Sequence, residues 1–231
     1  MLRKWGDLPD YMRCEEVRPY YDALSKKKGS LILKRVFDLI AGVILLIILA
    51  IPMGIIAVKI KRDSPGPVFY RQERVTTYGK RFRIHKFRTM VDGADQKGSA
   101  VTVNNDSRIT KVGTKLRDKR LDELPQLFDV LDGNMSFVGT RPEAAKYVAQ
   151  YGKYNKAYYA TLLLPAGITS KASIAYKDEA RLLEAADDVD LVYMKEVLPG
   201  KMKWNLESLK KFNFLREIGM MFETVGAVSK E

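Results

Sequence analysis

The 231-residue chain holds one cysteine, Cys14, and one histidine, His85. A lone cysteine excludes an internal disulfide framework, and the two residues together leave too few soft ligands for a structural zinc site. A serine or cysteine nucleophile activated by histidine would depend on that single imidazole. Acidic residues are also in deficit, with 28 Asp+Glu against 40 Lys+Arg and a net charge of +12. Neither an internal repeat nor a low-complexity tract is present. Apolar residues nevertheless make up 46% of the chain, ample for a packed core, which excludes general disorder. Chemistry is left to carboxylates, arginines and a hard metal. The basic excess points to nucleic acid or to an anionic membrane surface.

From Leu39 to Val58 no residue is charged. A helix over that run would measure about 30 Å, the thickness of a bilayer's hydrocarbon core. The polar, aromatic-dotted stretch ahead of it is unlike a cleavable signal peptide. Both flanks are basic, with Lys26, Lys27, Lys28, Lys34 and Arg35 before and Lys59, Lys61 and Arg62 after, so the positive-inside bias has no clear sign. Pro52 removes a backbone donor and predicts a bend near residues 48–52. A re-entrant hairpin and a kinked spanning helix both fit this pattern.

Beyond Ser64-Pro65-Gly66-Pro67, the stretches 68–75 and 80–88 flank a turn at Tyr78-Gly79, and the alternation of Arg81 and Arg83 with Phe82 and Ile84 predicts a β-hairpin. Residues 92–105 read as a loop. Thr114 is placed as the cap of a helix carrying Leu116, Arg117 and Arg120, and a second helix is expected from Glu123 to Leu131, stopped by Asp132-Gly133. Further helices are expected over 142–160, 177–197 and 203–225. In the last, Leu206, Leu209, Phe212, Leu215, Ile218, Phe222 and Val225 recur at threes and fours. That is the pattern of a basic amphipathic helix in a headgroup layer, or of a helix packed on a core.

Candidate chemistry concentrates between Asp106 and Glu143. Asp122 and Glu123 adjoin just ahead of Pro125, which is best tolerated in a first helical turn, so the positive end of a helix dipole is expected to favour both carboxylates. Ordinary N-terminal capping would use the same residues. Arg117, Arg120 and Arg141 bracket the pair, with Arg141 on the restricted segment Gly139-Thr140-Arg141-Pro142. A solvated basic face is the bland reading of these arginines. Carboxylates able to hold Mg²⁺ beside arginines able to hold phosphate are also the parts of a phosphoryl-transfer site.

Six blocks in order, KRVFDL (34–39), SPGPVFYRQERV (64–75), YGKRFRIHKFRTM (78–90), DSRITKVGTKLR (106–117), LDELPQLFDVLDGNMSFVGTRPE (121–143) and PAGIT (165–169), with a Pro-broken hydrophobic stretch after the first, resemble the monotopic polyprenyl-phosphate phosphoglycosyl transferases of the bacterial sugar transferase family. The resemblance covers residues 34–225. It implies an α+β, mostly helical monotopic membrane protein, with a re-entrant helix over 34–62 broken at Pro52, a small β-hairpin and interfacial amphipathic helices. An N-terminal extension (1–33) and a cytoplasmic catalytic domain (63–231) would flank that helix. The implied activity, at the cytoplasmic face of a bacterial inner membrane, is transfer of a phospho-sugar from a UDP-sugar to undecaprenyl phosphate with release of UMP. Asp122 would be the nucleophile and Mg²⁺ ligand, Glu123 its dyad partner, Arg117 and Arg141 the phosphate-binding residues, and Lys34-Arg35 would lie at phospholipid headgroups. Gly-Thr-Arg-Pro stands where Gly-Pro-Arg-Pro is commoner, and residues 169–179 lack the Asn-Gly-Arg segment of many members. The transferase reading needs no nucleic acid. The alternative is a membrane-tethered basic scaffold or nucleic-acid-binding protein without catalysis.

Overall fold

The computed structural model describes residues 2–94, 106–176, 179 and 188–228. A short helix α1 (Arg18–Ser25) leads into α2 (Lys28–Asp63), 36 residues long and apolar enough to cross a membrane. Pro52 lies inside α2 without dividing it. Gly42, Met53 and Ile60 are buried on one face, with Leu45, Leu46, Leu49 and Ile56 partly covered between them, the three-and-four spacing of a helical stripe. The opposite face is bare: Ile47 is 71% and Ile51 77% exposed, and Ile40, Ile44, Ile48 and Ile55 lie open beside them. An aliphatic row of this size marks an interaction surface.

Both ends of α2 are fastened to the same body. At one end Lys34 donates to Val138 O (2.7 Å), Arg35 to Val130 O and Leu131 O (2.7 and 3.0 Å), and Asp38 accepts from Phe137 N (3.3 Å). At the other, Asp63 accepts from Val112 N (2.9 Å), and Arg88 gathers the carbonyls of Ser64, Pro65 and Pro67. The segment 34–39 is therefore a set of internal clamps. Lys34, expected at headgroups, is 6% exposed and ion-paired with Glu217.

Strands β1 (Phe69–Val75) and β2 (Arg81–Phe87) form the expected antiparallel hairpin. Phe82 and Ile84 turn inward while Arg81 and Arg83 stay exposed. Helix α3 (Lys111–Asp118) is capped by Thr110, whose side chain accepts from Gly113 N (3.0 Å). Thr114, expected as the cap, lies inside the helix. A 3₁₀ turn (Leu121–Glu123) and helix α4 (Gln126–Leu131) follow, with Pro125 at the N-cap and Gly133 left-handed beyond the end. The carboxylate pair thus sits on the 3₁₀ turn, one step before the helix expected to carry it.

Strand β3 (Met135–Val138) pairs in parallel with β4 (Ala166–Thr169). Between them run α5 (Ala145–Tyr154) and a 3₁₀ stretch (Lys156–Leu163), where one helix over 142–160 was expected. Gly139 and Gly167 meet at the crossing so closely that a Cβ on Gly167 would overlap the Gly139 backbone. This approach fixes the start of the segment that carries Arg141. Helix α6 (Lys171–Ala175) comes next. The expected 92–105 loop and 177–197 helix fall largely outside the described residues. What is described of the latter is α7 (Val189–Val192) and a π turn (Tyr193–Val197).

The expected 203–225 helix is two helices, α8 (Leu198–Lys210) and α9 (Phe214–Val228). Asn213 separates them, its side chain accepting from Leu215 N (2.9 Å). The break divides the apolar periodicity by role. Leu209 and Phe212 are buried in the core, whereas Leu215 and Phe222 are 75% and 73% exposed. Leu8, Met12, Val17 and Leu24 are buried in that same core with Tyr147, Tyr158 and Leu198, so the N-terminal residues outside the family resemblance pack as part of the body.

Candidate active site

Arg117 reaches the site from the last turn of α3. That helix lies tight on the backbone of Thr89, because a Cβ on Gly113 would overlap the Thr89 carbonyl, and Arg117 Nε donates to Thr89 Oγ1 (2.9 Å). Arg120 then takes a left-handed conformation (φ 53°, ψ 22°), a strain of about 1–2 kcal/mol for a residue with a Cβ. It reverses the chain into the turn bearing Asp122 and Glu123.

The two carboxylates have different surroundings. Glu123 accepts from Lys86 Nζ (2.9 Å) and from both terminal nitrogens of Arg141. Burial disfavours its charge, but Arg141 and Lys86 outweigh that and hold its pKa well below the usual carboxylate range. Glu123 in turn raises the pKa of the Arg141 guanidinium. Asp122 accepts no hydrogen bond from any described residue. Burial pushes its pKa up, with Lys86, Arg117 and Arg141 pulling the other way and the Glu123 charge adding to the rise. Glu123 is thus a fixed anion engaged in structure, and Asp122 is an unengaged carboxylate in a cationic setting. The two adjacent residues thus differ in surroundings, on a 3₁₀ turn and not on the helix expected to carry them.

Arg141 is backed by a buried polar chain. Tyr193 donates to Glu143 Oε1 (2.6 Å), and Lys201 donates to the Tyr193 hydroxyl (3.3 Å). Arg117, Asp122, Glu123 and Arg141 are brought together, while Lys34, Arg35 and Pro52 on α2 lie outside this group. Lys86, Thr89 and Glu143 were not singled out from the sequence. The Lys-Phe-Arg-Thr run at 86–89 held the only available signal, a cation on the inward face of a strand.

A cavity of about 260 Å³ adjoins the dyad. Glu123, Arg120 and Arg141 line it together with Leu45 and Leu49 of α2, Leu127, Phe137, Ile174 and Thr224 of α9. It is chiefly apolar, and two of its walls are the helices with bare hydrophobic faces. The described residues contain no cluster of three or more metal-ligating side chains. A hard cation would be shared between Asp122 and substrate oxygens, the usual mode of Mg²⁺, and the donor set fits that mode.

The site thus combines a carboxylate that accepts no hydrogen bond from any described residue, flanking arginines, and an apolar cavity lined by Glu123 and by Leu45 and Leu49 of a helix apolar enough to cross a membrane. The family model described as bacterial sugar transferase matches residues 29–231, and the chain belongs to that family. A UDP-N-acetylgalactosamine-undecaprenyl-phosphate N-acetylgalactosaminephosphotransferase of Aeromonas hydrophila is 33% identical over 85% of this chain and 43% of its own length. A UDP-glucose:undecaprenyl-phosphate glucose-1-phosphate transferase of Escherichia coli is 37% identical over 78% of this chain and 39% of its own. A putative undecaprenyl-phosphate N-acetylgalactosaminyl 1-phosphate transferase of Bacillus subtilis is 41% identical over 55% of this chain and 72% of its own. The chain spans about two-fifths of the length of the first two.

Proposed function

We propose that this chain transfers a sugar 1-phosphate from a UDP-sugar to undecaprenyl phosphate, releasing UMP, at the cytoplasmic face of a bacterial inner membrane. The observation that carries this reading is the asymmetry of the dyad: Glu123 is locked by Lys86 and Arg141 while Asp122 remains unengaged beside the same cations. An Asp122 oxygen attacks the phosphorus nearer the sugar, and the bond from that phosphorus to the UMP oxygen breaks. UMP leaves with the electron pair, and the phospho-sugar stays on Asp122 as an acyl phosphate. An oxygen of undecaprenyl phosphate then attacks the same phosphorus, the bond to Asp122 breaks, and the carboxylate is regenerated. Arg117 and Arg141 orient the phosphates and offset developing charge. Mg²⁺, held by Asp122 and the donor's phosphates, would supply further charge neutralisation.

The apolar cavity beside Glu123 and Arg141 suits the lipid acceptor. The basic residues on both flanks of the uncharged run, with Pro52 inside it, support a helix that enters and leaves by one face. Mass spectrometry of protein incubated with UDP-sugar alone tests the mechanism. A phospho-sugar adduct is expected on Asp122 and absent from Asp122→Asn, and undiminished turnover by that variant would overturn it.

A further inference from the structure

The chain's one histidine takes no part in the chemistry above, yet it is held at two points by a single buried carboxylate. Asp129, on α4, is 1% exposed. Its Oδ2 accepts from the backbone N–H of His85 (2.8 Å), and its Oδ1 lies 2.8 Å from His85 Nδ1. The strand register explains why this backbone donor needs a partner. Arg88 N donates to Val68 O and Thr76 N to Lys80 O, so the hydrogen-bonded pairs of the hairpin fall at Tyr70–Lys86, Gln72–Ile84 and Arg74–Phe82. His85, opposite Arg71, is a non-hydrogen-bonded position, and its N–H points out from the free edge of a two-stranded sheet. Asp129 covers that open edge. The His85 ring is further held between Phe69 and Phe128, with centroids at 6.5 and 5.7 Å.

The adjacent residue on the strand is Lys86, which donates to Glu123. Adjacent residues of β2 are therefore riveted to one short unit, the 3₁₀ turn with α4: Lys86 to Glu123, and His85 to Asp129 six positions further along. We propose that His85 and Asp129 are positioning residues for the dyad: by fixing β2 against α4, they set where the Lys86 ammonium meets Glu123 and so hold the turn that carries Asp122. Asp129 touches neither the dyad nor the cavity and acts through Lys86. This rests on the transferase reading for its kinetic consequence, and on geometry alone for the strut itself.

The test compares full-length wild type with Asp129→Ala, Asp129→Asn, His85→Ala and His85→Asn in UMP release from a UDP-sugar with undecaprenyl phosphate. Asp129→Ala and His85→Ala should lower kcat about tenfold to a hundredfold, the range that an ångström of misplacement produces, with KM for the UDP-sugar changing by less than kcat, since Arg117 and Arg141 sit on elements other than β2 and α4. His85→Asn keeps a donor near the Nδ1 position, and Asp129→Asn keeps an acceptor for the His85 backbone, so both should recover most of kcat. Adding Asp129→Ala to Lys86→Met should cost little beyond Lys86→Met alone, because the strut acts through that lysine. Losses that multiply, or full activity in Asp129→Ala, would overturn the proposal. Hydrogen exchange over residues 81–88 and 121–131 separates it from the reading it rests on. If wild type releases no UMP, the transferase reading fails, while faster exchange at these segments in Asp129→Ala would still establish the strut. Unchanged exchange would remove it, and should Asp129→Ala not fold, kcat and exchange in His85→Ala decide.

Discussion

Converting each member of the dyad to its amide should shift stability in opposite directions. Glu123→Gln keeps the shape but leaves Lys86 and Arg141, whose side chains are 20% and 34% exposed, facing a neutral group. Removing one partner of such a partly buried pair costs about 3 kcal/mol, the lower end of the range for fully buried pairs. At roughly 2–4 °C per kcal/mol for a chain of this size, Tm should fall on the order of 10 °C. Glu123 has a folded pKa below its ordinary value of 4.5, so its contribution is present above that value and is lost as pH falls towards the folded pKa. The gap between wild type and Glu123→Gln should therefore narrow on acidification. Asp122 has the reverse sign. Its folded pKa lies above the ordinary 3.8 because burial, assisted by the Glu123 charge, outweighs the nearby cations. A raised pKa favours the fold only while the group is protonated, and that advantage is lost as pH rises through the folded value. At pH 7, above the ordinary carboxyl value, the raised pKa of Asp122 weighs against the fold, and Asp122→Asn should melt higher than wild type while being inactive. Thermal unfolding in one detergent, followed through Trp5 and Trp204 at pH 7 and pH 4, measures both. Shifts of the same sign, or a Glu123→Gln deficit independent of pH, would refute this account of the dyad.

Turnover should vanish with a chelator and return with Mg²⁺ or Mn²⁺, measured as UMP release; full activity in the chelator would exclude a metal role for Asp122. Engineered cysteines before Lys34 and after Arg62, in a Cys14→Ser background, should both resist an impermeant thiol reagent applied outside intact cells and react once the cells are opened. Labelling of one flank alone from outside would establish a spanning helix, the form that Pro52→Ala should favour.

The local patterns survived contact with the structure. The uncharged run lies within one long helix, alternation around residues 81–84 marks a strand with its arginines outward, and Asp132-Gly133 ends α4. What the pattern missed was decided by distant partners. Thr110 and Thr114 are equally good caps in sequence, and the choice falls on Thr110 because its backbone N–H is tied to Thr89 O, starting α3 four residues earlier. Pro125 is as acceptable at an N-cap as in a first turn, and the left-handed Arg120 favours a separate 3₁₀ turn before it. Lys34 reads as a headgroup lysine because its partner Glu217 lies 183 residues away. Lys86 was inconspicuous because Glu123 is 37 residues downstream. The apolar series from Leu206 to Val225 is continuous as a pattern, but the Asn213 cap interrupts it, with Leu209 and Phe212 buried before it and Leu215 and Phe222 exposed after it.

That split, together with the two faces of α2, links anchoring to chemistry. One face of α2 clamps the end of α4 through Arg35 and the strand β3 through Lys34 and Asp38. Leu45 and Leu49, between the clamps and Pro52, wall the cavity beside Glu123. The other face is an exposed aliphatic row, and α9, joined to α2 through Glu217 and Lys34, presents Leu215 and Phe222. Burying such surface in lipid is favourable by about 25 cal/mol per Å², so on the proposed membrane reading that force would act on the same two helices that line the cavity. A lipid acceptor would reach Arg141 along apolar side chains already at membrane depth, while a water-borne nucleotide donor would approach the cationic group formed by Lys86, Arg117 and Arg141. On the proposed mechanism Asp122, next in the chain to the cavity-lining Glu123, would serve both substrates in turn. That arrangement requires Asp122 to be unengaged, and Glu123 meets the requirement by taking up Lys86 and Arg141 itself.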